Sequence, residues 1–385
     1  MDKIDELLTR GVEQIIPNKD ELGNVLRSGK KLRVYQGFDP TSPDLHIGHL
    51  AGLRKLRQWQ DLGHEVIFLL GDFTAMVGDP TGKDKTRPML TEETVAQNAK
   101  EYQIQAAKVL RFNGTNPIII KRNSEWLAKL SAIEVARLAS YLTVQQVIER
   151  DMFQKRFQSG ADVAISEFFY PFMQGYDSVA MDVDIEIGGS DQLFNMMTGR
   201  DLMHKIKRKN KFVMTTTLIT DSQGRKIGKS EGNSIGLTKP PEEQFGMVMQ
   251  LDDTVILKCF ECITTVPMEK VEEVKRRLEQ DENPINLKKQ LAHQIVMELH
   301  SREAADVAQK KFEDMFQKGE INDVAEINAR SVDDLISHKI VESKSEWKRL
   351  VKVGAVECDG EKIAETNTLK PGVYKIGKKR FVKVV

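Results

Sequence analysis

The chain has 385 residues, 40% hydrophobic and 30% charged, a composition that supports a sizeable core, allows two or three domains and excludes wholesale disorder. Lys+Arg and Asp+Glu both number 57, so net charge points to no polyanionic partner and any such signal must be local. Three cysteines cannot staple a chain of this size, and Cys259-x-x-Cys262 lacks the second pair that would complete a zinc site, so no metal is expected.

The opening MDKIDELLTR carries charges throughout, and no apolar run reaches transmembrane length, so a cytoplasmic protein with no membrane partner is expected. Residues 1–30 read as helical and amphipathic, with Leu7, Ile15 and Leu22 at roughly helical intervals. Leu32-Arg33-Val34-Tyr35 reads as a strand running into Gly37-Phe38-Asp39-Pro40. Residues 44–61 read as a helix stopped by Gly63, and 65–70 as a buried strand closed by Gly71-Asp72. Strand, helix, strand predicts a parallel α/β sheet, which binds ligands at the carboxyl ends of its strands. Residues 124–149 read as one long helix with Ser124 as N-cap. Residues 181–187 read as a strand ending in Gly188-Gly189-Ser190-Asp191, 212–220 as another, and 221–233 as a polar glycine loop. Beyond Lys239-Pro240-Pro241, residues 242–325 are charged, Met-rich and helical in pattern; 331–385 are rich in short strands and turns. The expected domains are 1–235, 236–328 and 331–385.

Two motifs carry chemistry. His46-Ile47-Gly48-His49 sets two imidazoles at i and i+3 at a helix start. Unpaired N–H groups and the positive dipole end favour phosphate oxygens there, and Gly48 leaves room for a flat base against the backbone. Alone, such a pair is more often two surface histidines. Lys226-Ile227-Gly228-Lys229-Ser230 lies in the polar loop, and two lysines with a hydroxyl suit a loop that closes on phosphates. Alone, a basic loop is usually just solvated. It is not a Walker A motif, which needs Gly where Gln223 stands; residues 77–84 fail likewise at Val77 and Asp84. No G-x-G-x-x-G occurs, so P-loop NTPase and dinucleotide dehydrogenase are both disfavoured.

Together, about 180 residues apart, the two motifs resemble the signature of class I aminoacyl-tRNA synthetases. Four further blocks carry a resemblance to the tyrosyl branch over essentially the whole chain. They are Tyr35-Gln36-Gly37-Phe38-Asp39-Pro40-Thr41, Gly78-Asp79-Pro80-Thr81-Gly82-Lys83, Tyr170-Pro171-Phe172-Met173-Gln174-Gly175-Tyr176-Asp177 and Gly188-Gly189-Ser190-Asp191-Gln192. The loop reads KIGKS where the generic motif is KMSKS, but keeps both lysines and the hydroxyl.

The resemblance implies a Rossmann-like catalytic domain, then a helical anticodon-binding-type domain and a small α+β S4-like RNA-binding domain. It implies activation of L-tyrosine by ATP, with Mg2+ as part of the substrate complex and no bound cofactor, and transfer to tRNA(Tyr). Tyr35 and Asp177 match the residues that bind the phenolic hydroxyl, and Asp79, Tyr170 and Gln174 those that hold the α-amino group. Gly37, Asp39, Thr41, His46, Gly48 and His49 match the near side of the ATP site; Gly189, Asp191 and Gln192 match the ribose and adenylate side. Lys83 and Arg87 match residues that help hold pyrophosphate, and Lys226, Lys229 and Ser230 complete that clamp. Such enzymes are homodimers, with contacts here in an insertion at about 124–156.

The RNA side rests on local charge. Residues 204–211 are a dense basic run from which Lys207 and Arg208 are candidate phosphate contacts. Residues 339–385 hold 12 Lys/Arg against six Asp/Glu, and the stretch around Lys348 and Arg349 resembles an S4-type module. A tryptophanyl-type enzyme would not be expected to pair Tyr35 with Asp177, a small nucleotidylyltransferase does not explain the S4-like tail, and a non-catalytic RNA-binding paralogue would have eroded motifs.

Overall fold

The computed structural model describes residues 2–83, 89–224, 234–280, 282–316, 326–338, 340–359, 361–363, 368–377 and 380–385. Two compact units result, Met1–Asp306 and Val307–Val385.

The first unit is built on a six-stranded sheet of β1 (Val12–Ile16), β2 (Arg33–Phe38), β3 (Glu65–Leu70), β4 (Ile119–Arg122), β5 (Ile185–Gly189) and β6 (Phe212–Thr216), in the order β1-β6-β5-β2-β3-β4. All neighbours run parallel except β1, which is antiparallel to β6. The central strands are buried on both faces, as in other parallel sheets: the neighbours Val34 and Tyr35, with Phe68 and Ile185, are fully buried. The helix Ile47–Asp61 links β2 to β3 and turns Leu50, Leu53, Leu56 and Trp59 into the core. Strand order reverses between β2 and β5, so their carboxyl ends flank the crevice where such sheets bind ligands.

Several sequence expectations need correction. Residues 1–30 are not helical throughout: β1 separates the helices Lys3–Thr9 and Lys19–Arg27. An edge strand with one buried residue, Ile15, carries too little alternation to declare itself. The single helix expected over 124–149 is three, Ser124–Leu127, Ala132–Ala139 and Val144–Ile148. Ser131 and Thr143 form capping boxes with Glu134 and Gln146, and each box restarts the helix. Asn123, not Ser124, is the first N-cap; the Ser124 hydroxyl instead donates to Asp72 at 2.8 Å. Met181 closes a helix, so the strand expected at 181–187 starts at Ile185, and the strand expected to reach 220 stops at Thr216.

The helices Pro241–Met249, Ile256–Ile263, Met268–Glu279 and Pro284–Leu299 fall in the stretch 242–325 read as helical, of which 281 and 317–325 lie outside the described residues. They belong to the same compact unit as the sheet. Arg54 pairs with Glu298, Lys108 Nζ donates to Leu299 O at 2.7 Å, and the Arg10 side chain donates to the carbonyls of Glu261 and Thr264, both at 2.8 Å.

The second unit holds a five-stranded sheet of β7 (Glu326–Ile327), β8 (Val356–Cys358), β9 (Glu361–Lys362), β10 (Gly372–Ile376) and β11 (Arg380–Val384), in the order β7-β11-β10-β8-β9. Among the described residues only the β7–β11 pair of this sheet is parallel. The helices Val332–Ser337 and Lys344–Lys352 pack on it around Leu335, Trp347, Val356 and Ile376. No described helix is long and apolar enough to cross a membrane.

Candidate active site

The chain leaving β2 builds one wall. Gly37 is exposed, and Asp39 turns its carboxyl inward, where Thr74 donates to one oxygen and Tyr170 to the other, both at 2.8 Å. Burial raises this carboxyl to about 7, and the charges of Asp79 and Asp72 push the same way against the two hydrogen bonds. Thr41 is exposed, its N–H donating to Asp39 O at 2.7 Å.

Next comes the N-terminus of the Ile47–Asp61 helix. His46 is the N-cap: its Nδ1 accepts from Gly48 N at 3.2 Å, and His49 Nδ1 accepts from His46 N at 3.0 Å. The two ring centroids are 4.0 Å apart. A ring that accepts at Nδ1 carries its proton on Nε2, and both rings stand at a helix terminus favourable to anions. The segment after the glycine loop is pinned to this corner. Ile47 N donates to Ile235 O at 2.9 Å and Leu237 N to Leu45 O at 3.0 Å. Arg87, Lys226, Lys229 and Ser230 lie outside the described residues. Lys83 is described and half-buried, its N–H donating to Pro80 O at 3.1 Å.

The helix Tyr170–Met181 supplies the opposite wall and sets Tyr170, Gln174 and Asp177 on one face, as their spacing predicts. Asp177 is 2% exposed. Trp126 Nε1 donates to one of its oxygens at 2.7 Å and Asn123 Nδ2 to the other at 3.2 Å; burial still holds its carboxyl well above the usual range. The Tyr35 hydroxyl is bonded to Ser178 Oγ at 2.8 Å, not to Asp177. Gln174 Nε2 donates to Glu186 at 3.0 Å.

The turn after β5 closes the site. Gly189 leaves room for Asp191, whose Oδ1 would lie 2.6 Å from a Cβ there. Gln192 Nε2 donates to Asp79 Oδ2 at 2.8 Å, and Asn195 orients Gln192 from behind at 3.0 Å. Asp79 Oδ1 accepts from Thr81 Oγ1 at 2.7 Å. Thus Asp39 with Tyr170, and Asp79 with Gln192, are brought into direct contact from distant blocks.

Several residues here carry no sequence signal. Arg150 reaches in from the start of the helix Asp151–Ser159, donates to Thr81 Oγ1 at 2.8 Å and stacks 4.7 Å over the Phe194 ring. Asn123, Trp126, Ser178 and Glu186 sit in no recognisable pattern. Lys211 is hidden in the basic run of 204–211, and that run needs correction as a uniform phosphate track. Lys211 is fully buried and Lys209 is paired with Asp182 and Asp184. A lysine directly before a buried strand, as Lys211 stands before β6, was the available signal. Lys207 and Arg208 remain exposed. In the second unit Lys348 and Arg349 are exposed on the Lys344–Lys352 helix. Among the described residues no group of His, Cys, Asp and Glu is arranged to hold a metal.

The model of class I tRNA synthetases for tryptophan and tyrosine matches residues 27–317. The tyrosine–tRNA ligase of Carboxydothermus hydrogenoformans is 44% identical over 99% of this chain and 97% of its own length. That of Thermotoga maritima is 44% identical over 98% and 96%. The solved tyrosyl-tRNA synthetase of Archaeoglobus fulgidus, complexed with L-tyrosine, is similar in fold. Its TM-score is 0.63 at 23% identity, over 80% of this chain and 100% of its own.

Proposed function

The chain belongs to the tyrosyl-tRNA synthetase family of class I enzymes, which activate an amino acid with ATP and charge tRNA with it, and from that premise we propose how its residues divide the work. Tyrosine's carboxylate attacks the α-phosphate of Mg-ATP in line, and pyrophosphate leaves. No protein nucleophile is needed; the chain positions the reactants and stabilises developing charge. His46 and His49 donate to the phosphoryl oxygens through Nε2–H, assisted by Thr41. Lys83, Arg87, Lys226, Lys229 and Ser230 hold pyrophosphate. Gly37 and Gly48 let the nucleotide lie against the backbone, with Asp39 beside it; Gly189, Asp191 and Gln192 take the ribose and adenylate. Asp79, Tyr170 and Gln174 take the ammonium group of tyrosine, and Tyr35 and Asp177 its phenol. The terminal ribose hydroxyl of tRNA(Tyr) then attacks the adenylate carbonyl, while Lys207, Arg208, Lys348 and Arg349 contact phosphates.

Convergence carries this reading. Residues from four separate sequence blocks meet at the carboxyl ends of β2 and β5 through the Tyr170–Asp39 and Gln192–Asp79 hydrogen bonds. Exposed Ile133, Val144, Phe157 and Ile165 in and just beyond the insertion are apolar side chains that a homodimer would cover, which sedimentation tests; a monomer there ends the dimer reading. The activity is tested by ATP–pyrophosphate exchange with tyrosine, phenylalanine and tryptophan side by side. Exchange with tyrosine alone is expected, and exchange with tryptophan would overturn the substrate. Wild-type exchange by Lys229→Ala would remove the clamp.

A further inference from the structure

Behind the amino-acid pocket lies an ion pair for which the reaction has no direct use. Lys211 Nζ pairs with Glu186 Oε2 and donates to Ser178 Oγ at 2.8 Å. Lys211 and Ser178 are fully buried and Glu186 is 2% exposed. The space is reserved for them: a Cβ on Gly199 would lie 2.6 Å from Lys211 Nζ and 2.9 Å from Ser178 Oγ. Stability is a weak reason to keep such a pair, because desolvating two ions costs about as much as their attraction returns, and apolar residues of like volume often serve as well.

Geometry supplies a better reason. Glu186 on β5 is the register partner of Tyr35 on β2. Its Oε1 accepts from Gln174 Nε2 at 3.0 Å, which turns Gln174 Oε1 away from it. That oxygen is buried and has no hydrogen-bond partner among the described residues, as an acceptor awaiting an ammonium group would be. Ser178 Oγ also lies 3.3 Å from Glu186 Oε2 and 2.8 Å from the Tyr35 hydroxyl. A serine hydroxyl has one proton and two lone pairs. With the proton given to Glu186 and one lone pair to Lys211, the second lone pair takes the Tyr35 proton. One ion pair therefore orders the Tyr35 hydroxyl at one end of the pocket and the Gln174 amide at the other.

We propose that Lys211 and Glu186 are positioning residues that set tyrosine affinity and the preference for tyrosine over phenylalanine, acting on Tyr35 through Ser178 and on Gln174 directly. The proposal rests on the tyrosine-binding roles assigned to those two residues. The test is pyrophosphate exchange by the full chain and its K211M/E186L double variant, which removes both charges together. The KM for tyrosine rises about 10- to 100-fold, the range expected for losing one or two well-placed hydrogen bonds. The tyrosine-to-phenylalanine ratio of kcat/KM falls by a similar factor. The KM for ATP stays within about two-fold, and the Tm does not fall. A folded double variant with wild-type tyrosine KM and selectivity overturns the proposal. If the double variant does not fold, Ser178→Ala decides, since it cuts the relay to Tyr35 and leaves the ion pair intact. Its selectivity falls about 3- to 10-fold, and an unchanged ratio overturns the proposal. A wild-type protein that fails to exchange with tyrosine sinks the assigned reaction instead, so the two failures are distinguishable.

Discussion

The floor of the site and its rim are built on opposite principles. The floor consists of side chains buried and bonded to one another: Asp177 to Trp126 and Asn123, and Tyr35 through Ser178 to Lys211 and Glu186. The rim consists of backbone turns and a helix terminus: the 37–41 turn, the His46 cap and the 235–237 segment that hydrogen-bonds to it. A sealed polar floor selects by leaving buried groups unpaired when the wrong ligand enters. A rim of N–H donors binds whatever brings phosphate. On the proposed reading, amino-acid selection falls to the floor and rate to the rim.

His49→Ala is the severest test of that division. It removes the proposed phosphoryl donor and the bond to His46 N. Exchange kcat falls about 10²- to 10³-fold, as for loss of one preorganised donor, with the tyrosine KM nearly unchanged; equal effects on both would break the comparison. Asp177→Asn comes next. Both carboxylate oxygens accept from N–H donors, so an amide sets donor against donor. The tyrosine KM rises about 10- to 100-fold, and steady-state exchange should leave the ATP KM in place.

Asp39 touches both regions and makes a stability prediction. Its folded carboxyl stands near 7 against an ordinary 3.8, so the folded chain holds that proton more tightly than the unfolded chain. The resulting stabilisation is complete below about pH 4 and is lost as pH rises to about 7. Asp39→Asn, whose hydroxyl partners Thr74 and Tyr170 can accept as well as donate, therefore melts above the wild type at pH 8. The gap closes towards pH 4, at about 2–4 °C per kcal/mol. Thermal melts of the ligand-free protein at pH 4 and 8 check it; a gap that does not change with pH refutes it. The smallest effect lies outside both regions. Lys207→Ala and Arg208→Ala weaken tRNA binding a few-fold and flatten its salt dependence by about one unit of slope each, leaving exchange untouched. Lys209→Ala, already engaged by Asp182 and Asp184, does less in the same gel-shift titration.

The same contrast explains what was legible in the sequence. The rim is written in consecutive residues, so His46-Ile47-Gly48-His49 and Gly188-Gly189-Ser190-Asp191-Gln192 could be read with their context. The parallel sheet was legible from the strand–helix–strand alternation of residues 32–70, in which 65–70 is a short apolar run. The floor was legible only at Tyr35, Gln174 and Asp177, which fall in recognisable blocks. Asn123, Ser178, Glu186 and Lys211 come from four separate stretches of the chain and meet only through strand register and helix packing. Lys211 was misleading, since among neighbouring lysines a buried ammonium looks like one more surface charge. The breaks near Ser131 and Thr143 were missed because the apolar spacing continues across them while the caps interrupt the backbone.

The buried pair has a consequence for how this chain can change over generations. Losing either Lys211 or Glu186 alone strands a charge in the interior, a penalty of about 3–5 kcal/mol, against a total folding stability of about 5–15 kcal/mol. Losing both together is close to neutral for the fold. The two positions are therefore bound by strong epistasis: a drifting lineage crosses from the charged pair to an uncharged one only through a costly intermediate or a coincident double substitution, and its descendants should carry both residues or neither.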